Sequence, residues 1–227
     1  MMAIPIPVLT IDGPSGAGKG TVSRIVAKEL GWHYLDSGSI YRSLAIALSQ
    51  KEADLANVDQ ILSIAQAMDL AYECDDELIV KLNGEDITAQ LGTETTGNVA
   101  SIVAAIPEVR QVLLQKQKDF KKPPGLVADG RDMGTVVFPD ADFKVFLTAS
   151  AAKRAERRYK QLMEKGIDVN IHQITSEIES RDCRDKERLT APLAQAEDAL
   201  FIDSSAMTID AVIAQVLSLV PQRLVRQ

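Results

Sequence analysis

Val8-Leu9-Thr10-Ile11-Asp12-Gly13-Pro14-Ser15-Gly16-Ala17-Gly18-Lys19-Gly20-Thr21 decides the fold of this chain of 227 residues. Val8 to Asp12 has the apolar character of a short buried strand, and Gly13 to Gly20 is too rich in glycine to continue it. A helical stretch follows to about Leu30, with Gly31 placed as its cap. Strand, glycine loop and helix in that order form the context a phosphate-binding loop requires. Glycines let the backbone turn its N–H groups toward phosphate oxygens, and the helix N-terminus adds partial positive charge. Gly13, Pro14, Ser15, Gly16, Ala17, Gly18, Lys19, Gly20 and Thr21 are therefore candidate ATP contacts. Lys19 is the candidate catalytic cation for the β- and γ-phosphates. The strict pattern asks for Ser or Thr directly after the lysine, whereas here Gly20 intervenes before Thr21.

Outward from this loop, a second strand is expected at His33 to Asp36 and a helix at Ser39 to Ser49. Asn57 and Gln60 have the spacing of a capping box before another helix. From Leu70 to Thr88 the texture changes, and Leu78 to Leu82 followed by Asn83-Gly84 predicts a hairpin in a small antiparallel insertion. Pro107 opens a helix running toward Phe120. Further buried strands are expected at Leu126 to Asp129, Phe143 to Leu147 and Leu200 to Asp203. Ser150 caps a charged helix ending before Gly166, Asn170 with Gln173 starts the next, and Thr208 caps the last. Five short apolar strands alternating with helices predict an α/β fold of the P-loop NTPase type. It has three layers, with a central five-stranded parallel sheet and a small antiparallel β insertion.

The composition, 46% hydrophobic and 25% charged, is that of a folded globular enzyme. A formal charge of −7 argues against a nucleic-acid partner, which would need a basic surface. No uncharged apolar run approaches membrane-spanning length, and Met1 to Pro7 lacks the basic start of a secretory signal, so no membrane partner and a cytoplasmic location are expected. Cys74 and Cys183 lie far apart and read as free thiols, with Cys183 beside Arg184 a candidate for a lowered pKa. No metal-type cluster of ligands is visible, so no protein metal site is expected. A GTPase is disfavoured because neither Asn-Lys-x-Asp nor Asp-x-x-Gly occurs in the sequence.

Leu35-Asp36-Ser37-Gly38-Ser39-Ile40-Tyr41-Arg42 follows the second strand, at the carboxyl edge of the sheet where ligands of such folds bind. Arg42 offers a planar fork for a phosphate monoester, and Tyr41 an amphipathic wall. Ala128-Asp129-Gly130-Arg131-Asp132-Met133-Gly134-Thr135 ends the third strand on the same edge. Arg131 can bridge two phosphates there. Asp129 or Asp132 can orient Mg2+ water, hold an arginine or accept from a base amino group. Arg181, Arg184 and Arg188 recur so that one helix face would present all three to phosphates, with Asp182 and Asp185 nearby. Arg154, Arg157 and Arg158 form a second stripe, either a lid that excludes water or a solvated helix face. His33 and His172 have no partner signature and read as structural.

With these motifs assembled, the chain resembles bacterial cytidylate kinases, and Gly18-Lys19-Gly20-Thr21 is the loop form associated with nucleoside monophosphate kinases. The resemblance spans nearly the whole chain and implies phosphoryl transfer from ATP with Mg2+ to CMP, and also to dCMP. It further implies a single unit over residues 1–227. Within that unit lie a monophosphate-binding region at 37–68, an inserted β-containing domain at 69–106 and, as the resemblance implies for this fold class, a short helical lid at 151–170. Ser101, Arg110 and Asp132 would read the cytosine ring, while Ser37, Arg42 and Arg131 hold the acceptor and its phosphate. Arg181 and Asp185 would touch the sugar, Arg188 a phosphate and Arg157 the ATP; Tyr41 and Asp129 complete the acceptor side. Lys19, Arg131 and Arg188 are the catalytic set, and a monomer is the expected state. The alternatives are a UMP/CMP or other small-molecule P-loop kinase, or a module that binds ATP without transferring phosphate.

Overall fold

The computed structural model describes residues 6–74, 78–164, 166 and 169–224. The N-terminal reading falls largely on residues 1–5, outside the described residues. Residues 165, 167 and 168 of the expected lid and the side chain of Cys74 also lie outside them. The chain forms two compact units, Met1–Leu35 with Lys121–Gln227, and Asp36–Phe120.

The first unit opens with β1 (Val8–Asp12), α1 (Lys19–Leu30) and β2 (His33–Asp36). The second carries α2 (Ser37–Gln50), α3 (Val58–Ala67), β3 (Leu70–Cys74), β4 (Leu78–Leu82), β5 (Glu85–Asp86), α4 (Thr88–Leu91), α5 (Glu94–Val103) and α6 (Pro107–Lys118). The chain then returns to the first unit with β6 (Leu126–Gly130), a π-helical turn (Met133–Val137), β7 (Phe143–Thr148), α7 (Ala151–Glu164), α8 (Ile171–Glu187), β8 (Leu200–Asp203) and α9 (Ile209–Leu217).

The main sheet is parallel and runs β2-β6-β1-β7-β8, with β1 in the middle. β1 and β6 are buried along their whole length, which is why both read as continuous runs without alternation. At the edge, β8 alternates, with Ile202 buried and Phe201 exposed. Because the chain starts in the centre and places later strands on both sides, the carboxyl end of β1 lies at the topological switch point, where ligands of open α/β sheets bind.

Most caps follow the sequence. Gly31 ends α1 at φ 66, Asn57 accepts from the Gln60 N–H, and Thr208 accepts from the Ala211 N–H. Two differ. α2 begins at Ser37, two residues early, because Asp36 caps it through the Ser39 N–H. Asn170 accepts from the His172 N–H, while the Gln173 side chain donates to Glu177 instead of closing a capping box.

In the second unit the expected hairpin joins β4 to β5 through Asn83 (φ 51) and Gly84 (φ 86), the two positive φ values a tight turn of this kind needs. β3 adds a third antiparallel strand. α5, with Thr95, Thr96, Gly97, Asn98 and Val99 in succession, has too little helix propensity to announce itself, and Thr93 starts it by accepting from the Thr96 N–H. In the first unit, α7 and α8 share an apolar cluster of Ala155, Leu162, Ile174 and Ile178, with Ala151, Tyr159 and Val169 against it.

Candidate active site

The loop between β1 and α1 is shaped by backbone that side chains would not allow. Gly13 sits at φ 153, and a Cβ there would lie 1.9 Å from the Leu147 carbonyl oxygen. Gly18 caps α1 in the left-handed region at φ 91. Lys19 is buried and donates from Nζ to the Pro14 carbonyl at 2.8 Å, folding back over its own loop. Burial, and then the neighbouring Arg131 charge, pull the Lys19 pKa down to about 7, against the opposing pull of Asp129, Asp12 and Asp185.

Asp12, at the end of β1, accepts from the backbone N–H groups of Met133 (2.8 Å) and Gly134 (2.7 Å). It thereby anchors the π-helical turn that follows Asp129-Gly130-Arg131-Asp132. Burial raises its pKa to about 6 in spite of those two bonds. A Cβ on Gly134 would come within 2.8 Å of Thr10 Oγ1, so close approach of turn and strand requires glycine.

Asp129 accepts from the Tyr34 hydroxyl at 2.7 Å. Arg131 donates from Nε to Asp185 at 2.6 Å. Burial weakens the Arg131 charge, but Asp185 outweighs it and holds the guanidinium above its ordinary pKa. Asp185 is correspondingly held below the usual carboxylate range by Arg131, against its own burial. Asp132 meets Arg188 at 3.4 Å, and Arg188 also donates to the Ala191 carbonyl. Asp132 thus holds an arginine, one of the three roles open to it from sequence.

The second arginine stripe is not a solvated face. Arg154 is buried, donates to the Ala149 and Ser15 carbonyls at 2.9 and 2.8 Å, and grips both Asp182 oxygens. Arg157 donates to the Ser204 carbonyl at 2.8 Å and reaches the Ala17 carbonyl of the phosphate loop at 3.4 Å. The first stripe needs correction. α8 stops at Glu187 and Arg188 is its extended C-cap, so Arg181, Arg184 and Arg188 do not line one helix face. Arg184 is exposed, and Asp185 takes the buried place beside Arg131. Cys183 is exposed, and its thiol pKa is raised, not lowered, because it hydrogen-bonds to Glu187.

The remaining predicted residues belong to the second unit. Ser37 donates to Gln117 Oε1 at 2.7 Å, both buried. Arg42 donates to the carbonyls of Leu91 and Thr93, and α5 passes its guanidinium at Gly97, where a Cβ would lie 3.1 Å away. The Arg110 guanidinium stacks over Tyr41, 5.5 Å from the ring centre, and donates to the Ala104 carbonyl at 3.2 Å. Ser101 on α5 has a buried hydroxyl with no hydrogen-bond partner among the described residues.

A family model described as "Cytidylate kinase" matches residues 9–222. The chain belongs to the cytidylate kinase family. A cytidylate kinase from Aeromonas salmonicida is 53% identical over 96% of this chain and 95% of its own length. One from Methylococcus capsulatus is 56% identical over 95% of this chain and 97% of its own. A solved shikimate kinase from Acinetobacter baumannii covers 94% of this chain and 92% of its own at 16% identity, with a TM-score of 0.43, too remote to add to that assignment. This cytidylate kinase family member is therefore a kinase with a P-loop.

Sequence reasoning missed Asp12, Tyr34 and Gln117, and offered Arg154 only as part of a lid or of a solvated face. Asp12 carried a signal, a carboxylate closing a buried strand beside the loop. Tyr34 and Gln117 carried none, because their partners are 95 and 80 residues away, and the arginine stripe did not show that Arg154 meets Ser15, 139 residues away.

Among the described residues no group of three or more His, Cys, Asp or Glu could hold a metal ion. Mg2+ keeps several waters and binds through one or two carboxylates plus substrate phosphates, so it needs no such group. Asp129, at the end of β6 and acting on the Lys19 charge, offers the hard carboxylate oxygen that such an ion takes.

Proposed function

We propose that this chain transfers the γ-phosphoryl group of ATP to CMP, and to dCMP, giving ADP with CDP or dCDP. The reading includes Mg2+ on the nucleotide, a monomer and a cytoplasmic location. The observation that carries it is the grouping of buried Lys19, Asp129 and Asp185 with the partly buried Arg131 at the carboxyl edge of the sheet.

An oxygen of the acceptor phosphate forms the new bond to the γ-phosphorus as the bond to the ADP oxygen breaks. A phosphate monoester loses its second proton near pH 6, so this nucleophile is ionised at neutral pH and needs no general base. That accounts for a site without histidine. The protein's task is to align two nucleotides and offset spread negative charge. Lys19 takes the β- and γ-phosphates, and Arg131, already fixed by Asp185, is oriented before the nucleotides arrive. Arg188 and Arg157 take further phosphate contacts, and Arg42 with Ser37 holds the acceptor. Bound Mg2+ would supply neutralising charge to the phosphates, and Asp129 would help hold it.

For the base, Asp132 accepts from the exocyclic amino group, and Arg110 and Ser101 face the ring. The orphaned Ser101 hydroxyl supports this, since buried polar groups normally find partners and a ligand would provide one. Family membership favours this reading over an ATP-sensing module.

Coupled ADP release across CMP, dCMP, UMP, AMP, GMP and shikimate tests the reading. CMP should lead. Equal rates with AMP or GMP would refute the acceptor, and ATP binding without ADP from any acceptor would refute the transfer.

A further inference from the structure

Position 20 directly follows Lys19, and in the general phosphate-loop pattern it carries a Ser or Thr whose hydroxyl meets Mg2+. Gly20 offers no hydroxyl. The fold brings another one to that place. A Cβ built on Gly20 would lie 3.6 Å from the Tyr34 hydroxyl oxygen, an ordinary van der Waals contact. The same oxygen donates to Asp129 Oδ2 at 2.7 Å, and both residues are buried. Tyr34 lies on β2 and Asp129 on β6, its neighbour in the sheet, so adjacent strand ends fix the pair.

A buried tyrosine hydroxyl usually finds some acceptor, and a structural bond would satisfy that need. Here the acceptor is a carboxylate that also acts on the Lys19 charge, at the switch point of the sheet. We propose that Tyr34 is a positioning residue whose hydroxyl stands in for the missing loop hydroxyl, holding the Asp129 carboxylate toward the Mg2+ of the bound nucleotide. The proposal rests on the ATP–Mg2+ reading above and adds the residue that orients the metal-facing carboxylate. Partners of this outer kind tune a metal site through the ligand they orient.

Titration calorimetry of ADP with and without Mg2+ tests it on the wild type, Tyr34→Phe and the double variant Gly20→Ser/Tyr34→Phe. In the wild type Mg2+ should tighten ADP binding. Tyr34→Phe should weaken the Mg2+-dependent binding by about tenfold, the loss typical of a removed outer partner, and leave metal-free binding nearly unchanged. Gly20→Ser returns a hydroxyl within contact of the same space and should recover much of the loss. Equal weakening with and without Mg2+ would mark Tyr34 as merely structural and overturn the proposal. So would full retention of the Mg2+ effect in Tyr34→Phe, or no recovery in the double variant. A wild type on which Mg2+ has no effect would instead overturn the ATP–Mg2+ reading itself.

Discussion

The Arg154 guanidinium donates to the Ser15 carbonyl oxygen at 2.8 Å and grips the Asp182 carboxylate with the same fork. One side chain on α7 therefore ties the phosphate loop to α8, three residues before Asp185 and its bond to Arg131. Arg154→Met leaves Asp182 charged and largely buried without its partner, which typically costs about 3–5 kcal/mol. Urea denaturation should show that loss, and Arg154→Met/Asp182→Leu should recover most of it. A single-variant loss below about 1 kcal/mol would place the pair among solvated surface bridges.

Lys19 links the site to pH. Its folded pKa of about 7 lies below the value of a free lysine, so the unfolded chain holds the proton more tightly. The stability penalty is absent at high pH, grows as pH falls through the free-lysine range and is complete below about 7. Asp12 works the other way. Its folded pKa of about 6 is raised, so its stabilising share is full below the free-aspartate value and is lost as pH rises through 6. The nucleotide-free protein should gain stability from neutral to alkaline pH, and Lys19→Met should flatten that rise, as measured by thermal melts across pH.

Nucleotide phosphates near Lys19 favour its charged form. ADP binding at about pH 8 should therefore take up close to one proton, seen as a dependence of calorimetric heat on buffer ionisation enthalpy. Lys19→Met should abolish the uptake and lower kcat by about 10²–10³. Binding without proton uptake in the wild type would show that Lys19 does not meet phosphate.

Asp132→Asn keeps the shape of the side chain but reverses half of its hydrogen-bonding sense. The ratio of kcat/KM for CMP over UMP should fall by about tenfold, the scale of one mismatched buried group. Because Asp132 also meets Arg188, both acceptors should lose some rate. An unchanged ratio would remove Asp132 from base reading.

Gly13→Ala would press a methyl group into the Leu147 carbonyl at a φ that side chains rarely adopt. The combined strain should destabilise the fold by at least about 3 kcal/mol. A variant of near wild-type melting temperature with intact ADP binding would contradict the close packing of loop on β7.

The sequence by itself determined the five core strands, the phosphate loop and most helix starts. Those features follow from local rules: continuous apolar runs, glycines where backbone must turn left, and capping side chains a few residues from the groups they satisfy. α4, α5 and the π-helical turn were not legible in it. α5 rests on tertiary packing rather than propensity, and the turn is held by Asp12 from across the chain. Only the tertiary structure decided which polar groups pair: Arg131 with Asp185, Arg154 with Asp182, Arg188 with Asp132, and the Tyr34 hydroxyl with Asp129. Sequence spacing had placed Arg181, Arg184 and Arg188 together. The helix ended first, and Arg184 turned to solvent. Partner choice for a long charged side chain depends on which buried carboxylate the fold brings within a few ångströms, and spacing along one helix does not contain that distance.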